Sequence, residues 1–515
     1  MMLPSLQFLL KNISGISEDV PADIFVNEMS LDSRAIEKGL LFVALKGTQS
    51  HGLTYAKKAQ EQGAVAVIWE SDDTTNITDL IAGLSIPAIE IRDLSCQLGE
   101  IAQRFYQLFD DKKNAKANYG LQVLGVTGTD GKTTVSHFFA QAMNALHKNT
   151  AVIGTLGIGL PSNMKASTHT TPDVLTVHRT LRDLALQGVE FVAMEVSSHA
   201  LDQERVNGVA FDVAVLTNLM RDHLDYHGTV EAYAKAKEKL FLRPELKSVV
   251  LNKDDNFGRQ IEKNLADAKD NTGLDIISYH VQIHQDSGNQ ANELLAYDAK
   301  FTSAGIEAKV IFGDESGVIK APVLGWFNLS NLLATLAAML ALNVKFSDAL
   351  ESLSQVTTVS GRMERVASNK VLVVVDYAHT PGALESVLKA LRGHTKKRVI
   401  CVFGCGGDRD RGKRPLMARI AEQGANLVIA TDDNPRTESP EEIMAEIIAG
   451  FEQPEKVIIE HDRAKAIRFA LQQAKQGDVV LIAGKGHEQV QILAHTTEPF
   501  DDRKQAAQAL QELAA

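Results

Sequence analysis

The chain has 515 residues, of which 44% are hydrophobic and 23% are charged, and its formal net charge at pH 7 is −12. This length predicts about two to four domains with room for proper cores. The acidic balance excludes a broad surface for nucleic acid or for an acidic membrane. The three cysteines give neither a disulfide framework nor a zinc spacing, so we expect a cytoplasmic protein of a reducing compartment.

The first block, residues 1–94, mixes short strands with helices. Apolar runs at 41–45 and 64–68 predict strands, and the segment from Tyr55 to Gln62 predicts a helix. The opening segment MMLPSLQFLL lacks a basic region and a small-residue cleavage site, so we expect a first helix rather than a signal peptide. No apolar stretch approaches the roughly 18 residues that would span a bilayer, and we expect no stable membrane association.

The second block, residues 95–358, alternates strand and helix patterns. A helical pattern runs from Asp173 to Gln187. Apolar runs predict strands at 151–154, 190–196, 213–217 and 248–251. This alternation predicts βαβ units and a mainly parallel sheet with helices on both faces.

Within this block the segment GVTGTDGKTT, from Gly125 to Thr134, follows a predicted strand and opens a predicted helix. Glycines here allow backbone N–H groups to close around phosphate oxygens at a helix N-terminus, where the helix dipole favours an anion. Lys132 is placed to reach terminal phosphates, and Thr133 or Thr134 is placed to hold Mg²⁺. The strict phosphate-loop pattern has a glycine where this chain has Val126. The glycines of this chain are Gly125, Gly128 and Gly131, three residues apart.

Two further strand ends in this block carry candidate ligands for a cation. Glu195 follows the predicted strand residues 191–194, where a carboxylate could hold Mg²⁺ or position a nucleophile. The loop after the next strand contains Asp222, His223 and His227. A carboxylate at a strand end is more often an ordinary residue, and polar loop residues can serve as caps, so the residues alone leave both interpretations open.

The third block, residues 359–515, repeats the alternation. Strands are predicted at 371–375, 399–403, 427–430, 456–459 and 479–483. Short, all-apolar strands of this kind predict a doubly wound sheet with ligands at the carboxyl ends of its strands. Four of these strands are followed by the polar segments DYAHTP (from Asp376), GCGGDRD (from Gly404), DNPR (from Asp433) and GKGHE (from Gly484). Each segment alone could be a turn, but together at one sheet edge they predict a binding site.

The motifs of the second block resemble those of the Mur ligases, which use ATP to join amino acids to a cell-wall precursor. The phosphate loop is similar to the family's GxxGTxGKT loop, and EVSSH, TNLMRDHLDYHG and GWFNLSNLLA resemble family segments in the family's order. The resemblance spans essentially the whole chain. It implies an α/β protein of three domains: an N-terminal mixed α/β UDP-binding domain (1–94), a central P-loop parallel-sheet ATPase domain (95–358) and a C-terminal, amino-acid-binding, Rossmann-like domain (359–515). It also implies a monomeric, cytoplasmic bacterial enzyme of peptidoglycan synthesis with small-molecule substrates, ATP and Mg²⁺.

The resemblance assigns residues for catalysis, for Mg²⁺ and for ATP. The implied catalytic residues are Lys132, Glu195, His223, Lys237 and Arg362. The implied Mg²⁺ ligands are Thr133, Glu195, His223 and Lys237, the last as a carbamate. The implied ATP contacts are Thr127, Gly128, Thr129, Asp130, Gly131, Lys132, Thr133, Thr134, Asn328, Asn331, Arg362, Asp376 and His379. Only the resemblance singles out Lys237, since Lys235, Lys237 and Lys239 lie in a charged helical run that is typical of a solvated face. Asp130 departs from the relatives, which tend to carry Asn or Thr there.

The DNPR motif resembles the branch of the family that adds meso-diaminopimelate rather than L-lysine. Diaminopimelate has one more carboxylate on its distal carbon, which Arg436 could bind bidentately. The same cation would repel the ammonium of lysine. The implied diaminopimelate contacts are Arg409, Asp433, Asn434, Pro435, Arg436, Gly484 and Glu488. The implied contacts to the UDP-muramyl-dipeptide are Leu31, Ser33, Thr48, Gln49, Ser50, Thr170, Thr171, Ser197, Gln203 and Arg205.

The reaction that this resemblance implies is amide formation on UDP-N-acetylmuramoyl-L-alanyl-D-glutamate, driven by ATP through an acyl phosphate. An L-lysine-adding Mur ligase and a ligase similar to folylpolyglutamate synthase are the alternatives. A nucleotide switch is a remote alternative, because Asp225–Gly228 matches DxxG and Asn252–Asp255 matches NKxD. These two motifs lie too close together for that class of protein.

Overall fold

The computed structural model describes residues 3–16, 19–47, 50–71, 77–107, 117–268, 273–284, 291–366, 370–494 and 496–514. The chain forms two compact units. The first contains Met1–Ser136 and His147–Ile277, and the second contains His137–Leu146 and Ser278–Ala515. Within the described part of the chain, no helix is both long enough and apolar enough to cross a membrane.

The first unit begins with a parallel sheet of order β1-β2-β3-β4. Its strands are β1 (Glu28–Ser30), β2 (Leu40–Ala44), β3 (Ala66–Glu70) and β4 (Ala88–Ile91), and its helices are α1 (Leu6–Leu9), α2 (Ala56–Glu61), α3 (Ile77–Ala82) and α4 (Leu94–Gln107). Side chains alternate between two cores, so Leu41 and Val43 pack on one face while Phe42 packs on the other. The predicted first helix is present as the four-residue α1, which Ser5 caps by accepting a hydrogen bond from Phe8 N.

A larger sheet of the first unit carries the phosphate loop. Its strands are β5 (Gln122–Thr127), β6 (Thr150–Gly154), β7 (Gly157–Leu160), β8 (Asn163–Lys165), β9 (Phe191–Glu195), β10 (Val213–Leu216) and β11 (Ser248–Asn252). The order β11-β10-β5-β9-β6 is parallel, and β7 and β8 extend it in antiparallel fashion. Because β9 and β10 flank β5, the residues that follow all three strands meet at one edge of the sheet.

The helices of this part of the first unit cover the sheet. They are the first residues of α5 (Lys132–Ala145), which belongs to the second unit from His137 onward, and α6 (Val174–Leu186), α7 (Ser198–Asp202), α8 (Leu224–His227), α9 (Val230–Glu238) and α10 (Asn256–Ala268). Asp173 caps α6 by accepting a hydrogen bond from Thr176 N. Strands β9 and β10 are buried along their whole length, as parallel strands covered on both faces are.

This part of the second unit begins at Ser278, within β12 (Asp275–Val281), and continues with β13 (Glu293–Thr302), β14 (Gly305–Phe312) and β15 (Glu315–Ala321), followed by α11 (Trp326–Ala341) and α12 (Phe346–Leu353). Residues Ser278 to Val281 pair in parallel with β13. Strands β13, β14 and β15 pair in antiparallel fashion. Helix α11 is buried along most of its length, which explains its almost entirely apolar sequence.

The rest of the second unit is a doubly wound sheet. Its strands are β16 (Glu364–Val366), β17 (Leu372–Asp376), β18 (Val399–Phe403), β19 (Leu427–Ala430), β20 (Ile458–Ile459) and β21 (Val479–Ala483), in the order β16-β17-β21-β18-β19-β20. All neighbours pair in parallel except β16 and β17. Strand β20 is shorter than predicted, because Pro454–Lys456 form a 3-10 turn.

Helices cover both faces of this sheet. They are α13 (Pro381–His394), α14 (Lys413–Gly424), α15 (Pro440–Ile448), α16 (Arg463–Gln473) and α17 (Asp502–Ala514), and a small hairpin of β22 (Val490–Ile492) and β23 (Thr497–Pro499) precedes α17. Side chains of α13, α14 and α15 share one core with Val374 and Cys401, whereas α16 and α17 share the other with Val373 and Ile400. The predicted α/β class with parallel sheets is confirmed.

Candidate active site

The phosphate loop joins β5 to α5 in a conformation that requires glycine. Gly128 has a φ of 147°, and a Cβ added there would lie 1.8 Å from Thr217 Oγ1. Gly131 has a φ of 88° and turns the chain into α5. Side chains strongly disfavour these angles, so the three-apart glycine spacing follows from the backbone path of the loop.

The segment after β10 holds the loop in place. Thr217 Oγ1 donates to Asp130 O at 2.6 Å, and Asp130 N donates to Asn218 Oδ1 at 3.0 Å. Thr129 N donates to Asn218 O at 2.9 Å. Both backbone groups of Asp130 are therefore bound, whereas the residue itself is exposed. An exposed carboxylate at this position adds an acidic residue to the loop without the cost of burying its charge.

Lys132 begins α5, and its ammonium lies over the loop. Nζ donates to Gly128 O and to Thr129 O, each at 2.9 Å. Thr127, at the end of β5, is buried, and Thr134, on α5, is half-buried. The loop carbonyls hold the Lys132 cation where the terminal phosphates of a bound nucleotide are expected.

Glu195, at the end of β9, is a fully buried carboxylate beside the loop. It accepts hydrogen bonds from Thr133 Oγ1 at 2.8 Å, from Thr155 N at 2.9 Å and from Thr155 Oγ1 at 3.0 Å. Burial raises its pKa, and these donors together with Lys132 oppose the rise. Gly154 makes room for the carboxylate, since a Cβ there would lie 2.1 Å from Glu195 Oε1.

The Thr133 hydroxyl and the Glu195 carboxylate suit Mg²⁺. Both groups present oxygen atoms, and Mg²⁺ is commonly bound by one or two protein oxygens together with substrate phosphates and water. A cation there would also offset the cost of burying the Glu195 charge. Among the described residues, no three His, Cys, Asp or Glu side chains converge to form a metal site by themselves. The chain's oxygen donors therefore fit a metal ion that is shared with a nucleotide.

Lys237 is buried, although the charged run around it is typical of a solvated face. It is 1% exposed, whereas Lys235 and Lys239 on either side of it are exposed. Its Nζ donates to Gly128 O at 2.8 Å and lies 4.5 Å from the centre of the Tyr233 ring. Burial lowers the pKa of Lys237 well below its ordinary value, and the nearby charge of Lys132 lowers it further.

His223 lies at the entrance to α8 in a left-handed backbone conformation, with a φ of 52°. Its Nε2 is 3.4 Å from Asp222 Oδ2, and both side chains are about half exposed. The His223 ring packs edge-on against His199, 4.9 Å between centroids, and within 6.1 Å of Tyr233. His227 is part of the same aromatic cluster, and its Nε2 is 3.0 Å from Ser198 Oγ.

Five residues predicted to bind the muramyl-peptide portion form two connected groups near Glu195. Thr170 Oγ1 is 3.0 Å from Thr155 Oγ1, and Thr171 Oγ1 donates to Glu195 O at 2.8 Å. Ser197 N donates to Thr171 Oγ1 at 3.1 Å. The second group consists of Arg205 and Gln203: Arg205 donates to Thr171 O at 3.0 Å and to Gln203 Oε1 at 3.0 Å. The structure thus joins these predicted contacts to the candidate Mg²⁺ ligand.

The residues predicted to bind the uridine end are less defined. Leu31 is half-buried after β1, and Ser33 is buried at the start of a 3-10 turn. Ser50 is exposed. Thr48 and Gln49 lie outside the described residues, so their assignment stays a prediction.

In the second unit, the two asparagines predicted near the adenine are buried on the first turns of α11. Asn328 Nδ2 donates to Leu324 O at 2.6 Å, and Asn331 Nδ2 donates to Asn328 Oδ1 at 2.9 Å. Part of the hydrogen-bonding capacity of both amides is therefore used within the chain, where it fixes the start of the helix.

Arg362 lies in a tight turn that precedes β16. Gly361 has a φ of 68°, and its Cβ position would fall 2.1 Å from His487 N. The Arg362 guanidinium carbon stands 4.9 Å from the centre of the Tyr377 ring. Asp376 holds this turn, since its two carboxylate oxygens accept from Met363 N at 2.7 Å and from Ala378 N at 2.8 Å.

The neighbouring His379 is exposed, and its Nδ1 is 2.8 Å from Tyr377 O. Lys413 Nζ donates to His379 O at 2.8 Å. The Asp376 carboxylate therefore stabilises the turn in this structure. His379 lies at the surface beside the Tyr377 ring, with 4.5 Å between the ring centroids.

The residues predicted to bind diaminopimelate converge where β18, β19 and β21 end. Asn434 Nδ2 donates to Glu488 Oε2 at 2.9 Å. Arg436 has a φ of 53°, and its Nη1 donates to Gly407 O at 2.7 Å. Gly484 has a φ of 120°, and a Cβ there would lie 2.7 Å from Asp433 Oδ2. The structure thus brings the DNPR and GKGHE motifs into one cluster.

Two further predicted residues border this cluster. Pro435 is buried, and its carbonyl oxygen lies 1.9 Å from where a Cβ on Gly407 would stand. Arg409 is exposed in the loop after β18. Arg414, which is fully buried, ties that loop down by donating to Gly406 O at 3.2 Å and to both carboxylate oxygens of Glu438.

Three residues that contact predicted site residues within their own units were not assigned from the sequence. Thr155 donates to Glu195, Tyr377 stacks under Arg362, and Lys485 contacts both Asn434 and Glu488. Lys485 was visible in the GKGHE motif, but a buried lysine cannot be told from a surface lysine in a turn. Thr155 had no signal, since it lies 40 residues from Glu195 in the chain.

The comparisons with known proteins identify three family domains in this chain. The Mur ligase family catalytic domain matches residues 26–106, the Mur ligase middle domain matches 126–339, and the Mur ligase glutamate ligase domain matches 361–486. The UDP-N-acetylmuramoyl-L-alanyl-D-glutamate–2,6-diaminopimelate ligase of Pseudomonas aeruginosa is 45% identical over 95% of this chain and 96% of its own. The ligase of the same name from Ectopseudomonas mendocina is 44% identical over 95% of each chain.

A solved structure of a UDP-N-acetylmuramoyl-L-alanyl-D-glutamate–2,6-diaminopimelate ligase is 37% identical, covers 100% of both chains and gives a TM-score of 0.75. The family suggested by the phosphate loop and the strand-end motifs is thereby confirmed. The chain belongs to the Mur ligase family and is an ATP-dependent ligase.

Proposed function

We propose that this ligase adds meso-diaminopimelate to UDP-N-acetylmuramoyl-L-alanyl-D-glutamate during peptidoglycan precursor synthesis, with ATP converted to ADP and phosphate. The identity to ligases named for diaminopimelate supports this substrate. The observation that carries the choice of amino acid is the charged cluster that follows β19 and β21. There, Arg436 could bind the distal carboxylate and Glu488 the distal ammonium of diaminopimelate.

The acceptor carboxylate must be activated, because a carboxylate is a poor electrophile. Its oxygen attacks the γ-phosphorus of ATP, the bond to the bridging oxygen breaks, and ADP and an acyl phosphate result. The neutral amine of diaminopimelate then attacks the acyl carbon, loses a proton and expels phosphate, which leaves the amide. Lys132 would neutralise charge on the transferred phosphoryl group, and its bonds to the loop carbonyls support this role.

Arg362 is proposed for the γ-phosphate as well. Its guanidinium offers a planar fork that matches phosphate oxygens, and the Tyr377 ring under it limits its orientation. Asp376 contributes indirectly in this proposal, because it fixes the turn that carries Arg362.

We propose that Thr133, Glu195, His223 and a carbamate on Lys237 hold Mg²⁺. When bound, Mg²⁺ would neutralise negative charge on the ATP phosphates. The environment of Lys237 favours the carbamate, because a lowered pKa increases the fraction of neutral amine, the form that reacts with CO₂. The amine nitrogen attacks the carbon of CO₂ and loses a proton, which converts a buried cation into an anion.

Phosphate release by the purified protein tests the function. With ATP, Mg²⁺ and UDP-N-acetylmuramoyl-L-alanyl-D-glutamate, we expect release that depends on meso-diaminopimelate and a product with the mass of the tripeptide. Turnover with L-lysine alone would support the assignment as a ligase but reject meso-diaminopimelate as its amino-acid substrate. No turnover with either amino acid would favour a ligase similar to folylpolyglutamate synthase.

Arg436→Ala tests the assignment of the distal carboxylate. Loss of a charge-assisted, bidentate contact should raise KM for diaminopimelate by about 100-fold and leave KM for ATP within about twofold. Arg419→Ala is the matched control, since Arg419 is exposed on α14. An unchanged KM for diaminopimelate in Arg436→Ala would remove this residue from the substrate site.

A further inference from the structure

Lys485 is a fully buried lysine in the turn after β21, and the proposed reaction gives it no task. A buried ammonium lowers stability unless its charge is paired and its protons find acceptors. Its position between Gly484 and the His487–Glu488 pair places it inside the GKGHE motif rather than in the core of the sheet. The contacts of Lys485 therefore indicate what the charge is for.

Those contacts form a closed triangle. Lys485 Nζ donates to Asn434 Oδ1 at 2.9 Å and to Glu488 Oε2 at 3.0 Å. Asn434 Nδ2 donates to the same Glu488 oxygen at 2.9 Å. Ile492 N adds a second bond to Asn434 Oδ1 at 3.0 Å. Each of the three side chains thus contacts the other two.

This triangle fixes the orientation of both partners. Because the Lys485 ammonium can only donate, it selects the oxygen of the Asn434 amide and turns the amide nitrogen towards Glu488. Two donors then engage Glu488 Oε2, whereas Glu488 Oε1 takes part in none of these bonds. A carboxylate held in this way presents its second oxygen in one direction, as recognition of an ammonium requires.

The charge of Lys485 also bears on discrimination. The cluster contains two cations, Lys485 and Arg436, and two carboxylates, Asp433 and Glu488. The distal end of diaminopimelate is a zwitterion, whereas the distal end of L-lysine is a cation. An additional positive charge beside Glu488 therefore reduces the attraction for lysine more than for diaminopimelate.

We propose that Lys485 is a specificity-determining positioning residue: it orients Asn434 and Glu488 towards the distal group of diaminopimelate and disfavours L-lysine. This inference rests on the proposed function. Lys485 acts through Glu488 and Asn434, and it is not placed in contact with the reacting atoms.

Lys485→Met and Lys485→Gln test the proposal in the full-length enzyme. Methionine removes both bonds and the charge, so KM for diaminopimelate should rise by about 30-fold, while KM for ATP stays within about twofold. The ratio of kcat/KM for diaminopimelate to that for L-lysine should fall by about tenfold or more. Glutamine keeps a donor for Glu488 and loses the charge, so its KM should lie between those of the wild type and Lys485→Met.

Lys465→Met is the matched control, because Lys465 is an exposed lysine of α16. If wild type adds diaminopimelate but both Lys485 variants keep its KM and the selectivity ratio, Lys485 has no role in specificity. An equal loss of kcat with every substrate would show a purely structural role and would also overturn the proposal. If Lys485→Met does not fold, Lys485→Gln decides between these outcomes. Failure of the wild type itself to use diaminopimelate would reject the proposed function instead.

Discussion

Two lysines of this chain are equally buried but have different partners. Lys237, in the first unit, is 1% exposed, and Lys485, in the second, is 0% exposed. Among the described residues, no carboxylate forms an ion pair with Lys237, whose Nζ donates to the backbone carbonyl of Gly128. Lys485 instead contacts the carboxylate of Glu488 and the amide of Asn434.

The difference shows how partners decide what a buried amine can do. Burial without a carboxylate in direct contact, next to the Lys132 cation, shifts Lys237 towards its neutral form and so towards reactivity. A carboxylate partner offsets the cost of burying the Lys485 charge, which suits a lysine that positions other groups. The two sites therefore predict different outcomes for the same substitution.

The largest expected effect is on catalysis by Lys237→Met. If Lys237 supplies an anion for Mg²⁺ near the phosphates, kcat should fall by about 10³-fold, while KM for diaminopimelate stays within about twofold. Phosphate release in bicarbonate-containing buffer measures both constants. Lys235→Met is the control on the same helix, since Lys235 is exposed and should keep the wild-type kcat. A Lys237→Met enzyme with more than about one tenth of the wild-type kcat would contradict the role of Lys237.

The next effect is on stability, where the two substitutions should have opposite signs. Methionine at position 237 removes a buried amine that has no carboxylate partner, and Gly128 O keeps its bond from Lys132, so the first unit should gain about 1–2 kcal/mol. Methionine at position 485 leaves Glu488 without its cation, so the second unit should lose about 2–3 kcal/mol.

The two tryptophans allow each unit to be followed alone. Trp69 lies in the first unit and Trp326 in the second, so urea unfolding is followed by fluorescence in a Trp326→Phe or a Trp69→Phe background. Shifts of the unfolding midpoint in the same direction for both lysine variants would contradict the proposed difference between the two residues. Burial alone would then explain the effect of each lysine on stability.

The part of the site that could be predicted from sequence is the part built by neighbouring residues. The phosphate loop needs its glycines, its lysine and its threonines within ten residues, and all of them lie where the motif places them. The charged run around Lys237 is typical of a solvated face, yet a sequence signal for its burial was present. In a helix, Lys235 and Lys239 share a face, whereas Lys237 lies about 200° round the axis from Lys235 and points the other way.

The remaining features depend on contacts between distant segments. The Thr155–Glu195 bond and the Asn434–Glu488 bond each join residues that are dozens of positions apart, so no local pattern reports them. Asp376 and Asn328 also show that local sequence patterns do not report the contacts of a side chain. They were predicted as ATP contacts, and the structure shows that their side chains already bind the backbone of their own unit.

The smallest expected effect is a pH dependence that separates Lys237 from its methionine variant. Burial and Lys132 lower the pKa of Lys237 in the folded state, and Asp222 opposes this shift only in part. Between the lowered pKa and the ordinary value near 10.5, the unfolded chain binds more protons at this position than the folded chain. Stability of the wild type should therefore rise with pH through this window. The advantage of Lys237→Met should shrink accordingly as the pH rises towards about 10 in CO₂-free buffer, measured by Trp69 fluorescence during urea unfolding. An advantage that does not change with pH would mean that Lys237 keeps its ordinary pKa, and carbamate formation would then lack the neutral amine on which it depends.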